Sequence, residues 1–347
     1  MTLMGFERKV DFSRLRNMRC GKCGHEEKFS HDWMDAWSQG YIGCPSCGIT
    51  SDHPQRARYT YDFSDIACDR ERITELNWYH TSVLKDWPNR DFDPLSVYSK
   101  DAQEGIIKNM SGVELESWLR TQKTKALHVG TFEAALENML RRMSDQSDSG
   151  RHFYLYRVKL RDDSSVSSTV NKEPASIFGD VNLEELGAGR SEIYRYINSH
   201  EDPSSISLAL TINSIASVQR VSIPIYPADS VEVEGIRSVL CEAQKIPPKE
   251  IDSFISQFRK QRGLKPGYTD PYRDELHAQV ENLANQLPGR IRDPFVIAVA
   301  RGASRRKDYA LAASYMVGMR DLFLYPERVL QALDNEPMQK IETAADM

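Results

Sequence analysis

Residues 126–146, ALHVGTFEAALENMLRRMSDQ, change their hydrophobic period in mid-run. Leu127 and Val129 flank His128 in the alternation of a strand, and Gly130 turns the chain. From there Phe132, Ala135, Leu136, Met139, Leu140 and Met143 recur near the 3.6-residue period of a helix. The reading is strand, turn, helix. Thr131 stands where it either caps that helix or contacts a ligand, and Gly130 lets a ligand approach the backbone.

Strand-like runs lie on both sides. LNWYHTSVL (76–84) precedes it, followed by 101–125 with helical spacing at the centre. RHFYLYRVKL (151–160) alternates, with Phe153, Leu155 and Val158 among its apolar positions. Residues 161–192 are rich in Ser, Gly, Asp and Glu and read as a long loop of the kind that often carries function. SEIYRYINSHEDPSSISLALTI (191–212) leads into a strand with Ile206, Leu208 and Leu210 on one face, and ASVQRVSIPIYP (216–227) reads as another. From about 229 the runs are helical, separated by Pro or Gly. Residues 61–75, YDFSDIACDRERITE, read as a charged linker. The expected plan is α+β: a module at 1–60, a central domain at 76–228 and a helical domain at 229–335.

The chain has 347 residues, 40% hydrophobic and 27% charged, which excludes wholesale disorder and suggests two or three domains. Forty-five cations against fifty anions leave a net charge of −5, which argues against a chain-wide grip on nucleic acid. No apolar run approaches the ~20 residues that cross a bilayer. MTLMGFERKVDFSRLRNMRC lacks the apolar core of a secretory signal. The expectation is a soluble, cytoplasmic protein with no membrane partner.

Of six cysteines, four form two C-x-x-C pairs, Cys20-Gly-Lys-Cys23 and Cys44-Pro-Ser-Cys47. Each pair is followed by a glycine, Gly24 or Gly48, which helps the backbone N–H groups turn toward the sulfurs. Two such turns supply the four thiolates of a tetrahedral structural site, closed to water, and the pattern resembles a zinc ribbon. His25, His31 and His53 are then surface residues. Trp33, Trp37 and Tyr41, with His31, either stack on bases or form the small core of the ribbon. Cys68 and Cys241 read as buried thiols. Near the C-terminus, Arg290, Arg292, Arg301, Arg305, Arg306 and Lys307 make a basic stretch over 290–307, either a phosphate contact or a solvated helix face. Leu311, Tyr315, Met316, Met319 and Phe323 repeat at helical spacing as core.

Three short motifs carry the chemistry: Trp78-Tyr79-His80-Thr81-Ser82, His128-Val129-Gly130-Thr131, and Tyr194-Arg195-Tyr196-Ile197-Asn198-Ser199-His200-Glu201-Asp202. Their order is strand-His-Thr, strand-Gly-Thr-helix, a long loop, then a glutamate before a strand. It resembles the ADP-ribosyltransferase superfamily over residues 76–228. The resemblance implies a split β-sandwich that takes NAD as substrate and passes ADP-ribose to a protein or nucleic-acid acceptor, as a toxin, defence factor or virus-encoded modifier does. It implies that Tyr79, His80 and Thr81 form the first motif, with His80 on the ribose. His128, Gly130 and Thr131 form the second. The resemblance implies that Glu201 stabilises the oxocarbenium-like state. Tyr154, Tyr156, Tyr194 and Tyr196 compete for the family's aromatic position, and Tyr196 joins the cofactor-binding set. The glutamate stands as His200-Glu201-Asp202, outside an E-x-E or Q-x-E setting, with Glu184, Glu185 and Glu192 as rivals. No P-loop, G-x-G-x-x-G, H-E-x-x-H or G-x-S-x-G occurs, and Gly187-Ala188-Gly189 is a lone small-residue turn. The alternative function is a non-enzymatic adaptor that binds nucleic acid or protein through the ribbon and the basic stretch.

Overall fold

The computed structural model describes residues 5–98, 100–146, 148–174, 192–225, 230–306 and 308–342. It divides into two compact units, one of Met1–Ala135, Tyr154–Arg220 and Asp334–Met347, the other of Leu136–Phe153 and Val221–Leu333. Among the described residues are ten α-helices and several sheets. No described helix is long and apolar enough to cross a membrane.

The first unit begins with strands β1 (Arg16–Cys20) and β2 (Glu26–Phe29), helix α1 (His31–Ser38) and strand β3 (Ala57–Tyr59). They make an antiparallel sheet in the order β2-β1-β3. Its small core is Met18, Phe29, Met34 and Ala57, with Trp33 and Trp37 packed on it. Trp33 stacks on Phe29 at 3.6 Å. These two tryptophans therefore belong to the core, whereas Tyr41 is exposed.

Next come β4 (Trp78–Ser82), α2 (Lys100–Asn109), α3 (Gly112–Lys123), β5 (Leu127–Val129), α4 (Phe132–Asp145) and β6 (Phe153–Leu160). Ser111 and Glu114 close a capping box at the start of α3. The strands continue as β7 (Asn171–Lys172), β8 (Ile193–Ile197), β9 (Ile206–Leu210) and β10 (Ile215–Ile223). After the helices α5 (Val231–Lys245), α6 (Phe254–Gln261), α7 (Pro271–Ala284), α8 (Gly289–Ser304), α9 (Tyr309–Leu324) and α10 (Pro326–Asp334), the chain returns with β11 (Gln339–Lys340). Two four-stranded sheets result, in the orders β11-β10-β6-β4 and β5-β9-β8-β7. One core unites them: Trp78, Tyr156, Val158 and Val218 from the first, Val129, Ile193, Leu208 and Leu210 from the second. The sheets touch where Tyr79 and Gly130 exchange two backbone hydrogen bonds of 2.9 Å. A Cβ at Gly130 would come within 2.9 Å of Ala134 Cβ and Ser207 Oγ, which explains the glycine.

Two sequence expectations fail here. Residues 61–75 are no linker, because Ala67 and Ile73 are fully buried in the shared core. Their charge misleads: Asp62, Asp65 and Asp69 accept from the backbone N–H groups of Ser64, Ala67 and Glu71 and so cap tight turns. Nor is 161–192 loop throughout. Asn171 and Lys172 pair in parallel with Tyr196 and Ile197, and Val166 bridges Ile193. Glu184, Glu185 and Gly187-Ala188-Gly189 lie outside the described residues, as does Lys307.

Arginines clip the returning segment to the first unit. Arg157 pairs with Asp334 at 2.7 Å, Arg161 donates to the Ile341 carbonyl, and Arg90 donates to that of Glu342. In the second unit, Leu276, Val280, Phe295, Val299, Met316 and Met319 are buried. Tyr315 and Phe323 join them, but Leu311 is exposed. Much of the basic stretch is engaged within this unit. Arg290 pairs with Glu137 at 2.9 Å, Arg301 donates to the Ser144 carbonyl at 2.6 Å, and Arg306 lies over the Tyr315 ring.

One buried carboxyl makes stability depend on pH. Glu133, in the first turn of α4, is 4% exposed and accepts from the Asp11 N–H at 2.6 Å. Burial, then the nearby Asp202 charge, pushes it up to about 7. The folded state thus holds a proton that the unfolded chain releases near its ordinary value. This favours folding at low pH, and the benefit is lost as pH rises through about 7. Glu133→Gln, which keeps the acceptor oxygen, should therefore stabilise the protein at pH 8 by roughly 3 kcal/mol, at about 1.4 kcal/mol per pKa unit. The gain should shrink toward pH 5, as read from urea midpoints. An equal gain at both pH values would refute the assignment.

Candidate active site and candidate metal centre

The four paired cysteines converge. Their sulfurs all lie within 4.8 Å of one another, with Cys20–Cys47 and Cys23–Cys44 each at 3.7 Å. A regular tetrahedron with metal–sulfur bonds of ~2.3 Å has edges of ~3.8 Å, so the set fits a four-thiolate metal site. The local sequence builds both turns alike. Cys20 N–H donates to the His25 carbonyl and Cys44 N–H to that of Ile49, each at 2.8 Å. Gly24 and Gly48 hold φ of +75° and +73°, where a side chain is strained. The His25 N–H lowers the Cys23 thiol to about 6, favouring thiolate. At Cys47 the Ile49 N–H acts the same way, but burial and the neighbouring sulfurs outweigh it and push the thiol up to about 12. Four such sulfurs need a cation before all ionise. His25 turns to Glu27 instead, at 3.0 Å. Cys68 donates its thiol to the Asp62 carbonyl.

The residues expected to bind NAD fall into three groups. His128 and Tyr196 form the first. His128 sits on β5 opposite Ala209, on the face away from Leu127 and Val129, where Ala126, Tyr194, Tyr196 and Ala209 gather. Its Nδ1 is 3.1 Å from the Tyr196 hydroxyl. Burial raises the Tyr196 hydroxyl far above its ordinary value, and the charges of Glu173 and Glu201 raise it further, so it keeps its proton. Asn198 Nδ2 donates to Ser207 Oγ at 3.0 Å, and Ser207 in turn bonds the Tyr196 oxygen. Run in that direction, Tyr196 donates to His128 Nδ1, and Nε2 carries the ring proton. That Nε2 is shielded from solvent and, among the described residues, has no hydrogen-bond partner. Burial lowers the imidazole pKa against an opposing pull from Glu201, which keeps the ring neutral at pH 7.

Glu201 belongs with this group. It lies in the turn between β8 and β9, where Asn198 Oδ1 accepts from the N–H groups of His200 and Glu201 at 3.1 and 2.9 Å. Asp202 and Ser204, both with positive φ, tighten the same turn. Glu173, which the sequence reading did not select, completes the cluster. The β7–β8 pairing carries it to the level of Asn198, and the Ser199 N–H donates to it at 2.8 Å. Burial lifts its carboxyl above the ordinary range. Nothing in the local sequence marks Glu173, because its neighbours are brought by strand pairing.

His80 is the second group. It stacks on Trp87 at 4.1 Å and donates from Nδ1 to the His128 carbonyl at 2.8 Å. It therefore supports the backbone on which His128 stands. Tyr79, Thr81 and Thr131 are the third group, held by internal bonds. Tyr79 donates to Glu7 at 2.5 Å, and Thr81 to the Ala135 carbonyl at 2.9 Å. Thr131 caps α4 by accepting from Ala134 N–H at 3.0 Å, and it donates to Asp202 at 2.7 Å. Of the other tyrosines, Tyr156 donates to the Leu84 carbonyl, and Tyr154 lies under Arg220. Glu192 accepts at the edge of β8, from Ser165 N–H.

No family model, curated protein or solved structure matches this chain.

Proposed function

We propose that the protein is an NAD-dependent ADP-ribosyltransferase carrying a structural zinc ribbon, its active centre being His128, Tyr196, Glu201 and Glu173. The observation that supports this most is the buried Nε2 of a neutral His128, without a partner among the described residues and set among a tyrosine hydroxyl and two carboxylates. An unsatisfied buried donor is costly unless a ligand completes it, and a ribose hydroxyl would accept from it. Breaking the bond between nicotinamide and ribose leaves positive charge on the sugar, and the electron pair departs with nicotinamide. Glu201, whose backbone N–H is held by Asn198 Oδ1, stabilises that charge through its carboxylate. The acceptor then bonds the anomeric carbon and releases a proton, which Glu173 takes. Cys20, Cys23, Cys44 and Cys47 would hold a zinc that would organise the ribbon and leave no open position for chemistry.

The test is consumption of labelled NAD by the zinc-loaded full chain, with and without cell extract. Glu201→Gln and His128→Gln should each lower nicotinamide release at least about 100-fold, the scale of losing one electrostatic stabiliser, with unchanged unfolding midpoints. Absence of turnover by folded wild type in every extract, or full activity in both variants, overturns the reading.

A further inference from the structure

We propose that residues 249–269 form a docking finger for an anionic lipid surface. The finger is closed at its base by backbone bonds. Thr269 N–H donates to the Lys249 carbonyl at 2.8 Å, and Ile251 N–H to that of Gly267 at 2.9 Å. Helix α6 sits within the loop so closed, and its one buried residue is Ser256, whose Oγ accepts from Gly267 N–H at 2.8 Å. A polar side chain thus anchors the helix, and its apolar side chains face water. On the helix Phe254 is 82% exposed, Ile255 70% and Phe258 44%, and just beyond it Leu264 is 54% exposed. Phe254 and Phe258 lie one turn apart with near-parallel rings 6.5 Å between centroids. Single exposed hydrophobes are ordinary, but a set on one short element marks a contact surface.

Charge selects the partner. Between 249 and 269 stand five cations and two carboxylates, in a chain whose net charge is −5. Glu250 takes up Lys260, while Arg259, Arg262 and Lys265 remain exposed, with Arg262 over the Phe258 ring at 4.6 Å. An exposed apolar face edged by cations is what lies in a headgroup layer: the apolar side chains enter the acyl boundary and the cations meet phosphate. Single-stranded nucleic acid would use the phenylalanine rings and the cations, but it offers nothing to Ile255 and Leu264. Contact at this finger needs no membrane-spanning helix, and it does not depend on the transferase reading.

The experiment is flotation of the zinc-loaded full chain with phosphatidylcholine vesicles, with and without phosphatidylserine. Wild type should float with the anionic vesicles, remain behind with neutral ones, and detach as salt rises. The pair Phe254→Ser and Ile255→Ser should weaken binding at least about tenfold. Arg259→Glu with Arg262→Glu should weaken it by more than about fivefold per charge removed. These side chains are exposed, so unchanged thermal midpoints will show that folding is intact. Phe254→Trp provides a second readout, since its emission should shift to shorter wavelength with anionic vesicles. The proposal is overturned if folded wild type ignores anionic vesicles, or if both double variants bind them as wild type does. It is equally overturned if the variants lose binding to polyuridylate while vesicles are not bound by any form.

Discussion

Cys44→Ser should leave the purified protein with no bound metal, where elemental analysis of the wild type should give one zinc per chain. The sulfur set has the spacing of a tetrahedral site, and a serine oxygen cannot replace a thiolate in it. The structural consequence should be as large. Zinc binding to small four-ligand modules is worth about 10–16 kcal/mol at neutral pH, comparable with the whole stability of an ordinary domain. The alternative support here is slight: Met18, Phe29, Met34 and Ala57 with two tryptophans. Amide exchange should therefore lose protection across β1, β2 and β3, and chelation of the wild type should reproduce the loss. Cys68→Ser is the control, since its sulfur bonds the Asp62 carbonyl and should leave the metal content unchanged. Native protection in Cys44→Ser, or a full complement of metal, would rule out the site.

The second large effect concerns Asp202. Its carboxylate is fully buried and meets Arg14 at 2.7 Å, Arg16 at 2.9 Å and the Thr131 hydroxyl at 2.7 Å. Arg16 is itself only 1% exposed. Asp202→Ala removes the acceptor and leaves a guanidinium buried without its counter-charge, which costs about 3–5 kcal/mol. Urea unfolding should show that loss, and Asp202→Asn, which keeps an acceptor for Thr131, should lose less. A loss below about 1 kcal/mol would mean that water or another group compensates. Because Asp202 follows Glu201, the variant also separates fold from chemistry: its NAD turnover should fall only as its folded fraction falls.

The parts of this protein legible in its sequence are those in which neighbours in the chain are neighbours in space. The C-x-x-C turns are of this kind, as is the passage from His128 through Gly130 into α4. Strand β8 is the instructive failure. Arg195 stands in the middle of Ile193–Ile197 and is 2% exposed, because its guanidinium donates to the carbonyls of Ala67, Cys68, Ser167 and Ser168. Hydropathy scores that residue as surface, so the run does not read as a buried strand. Glu173 was hidden for the same reason, since its place beside Tyr196 and Glu201 depends on the pairing of that strand. Within the proposed site the sequence named His128, Tyr196 and Glu201, but it could not tell that His80 bonds the His128 backbone or that Tyr79, Thr81 and Thr131 direct their polar atoms into internal bonds. That distinction rests on partners as distant in the chain as Glu7 and Asp202.

Strand β11 imposes an order of events on synthesis. It completes a sheet whose other members are made long before it, pairing with Ser217 and Val218 of β10. At roughly 5–20 residues per second, it leaves the ribosome on the order of ten seconds after its partner. Throughout that interval the nascent chain presents the open edge of β10, a template for pairing with any neighbouring strand. Products cut short before Gln339 would keep that edge permanently, so a cell making this protein needs either prompt completion or rapid disposal of the fragments.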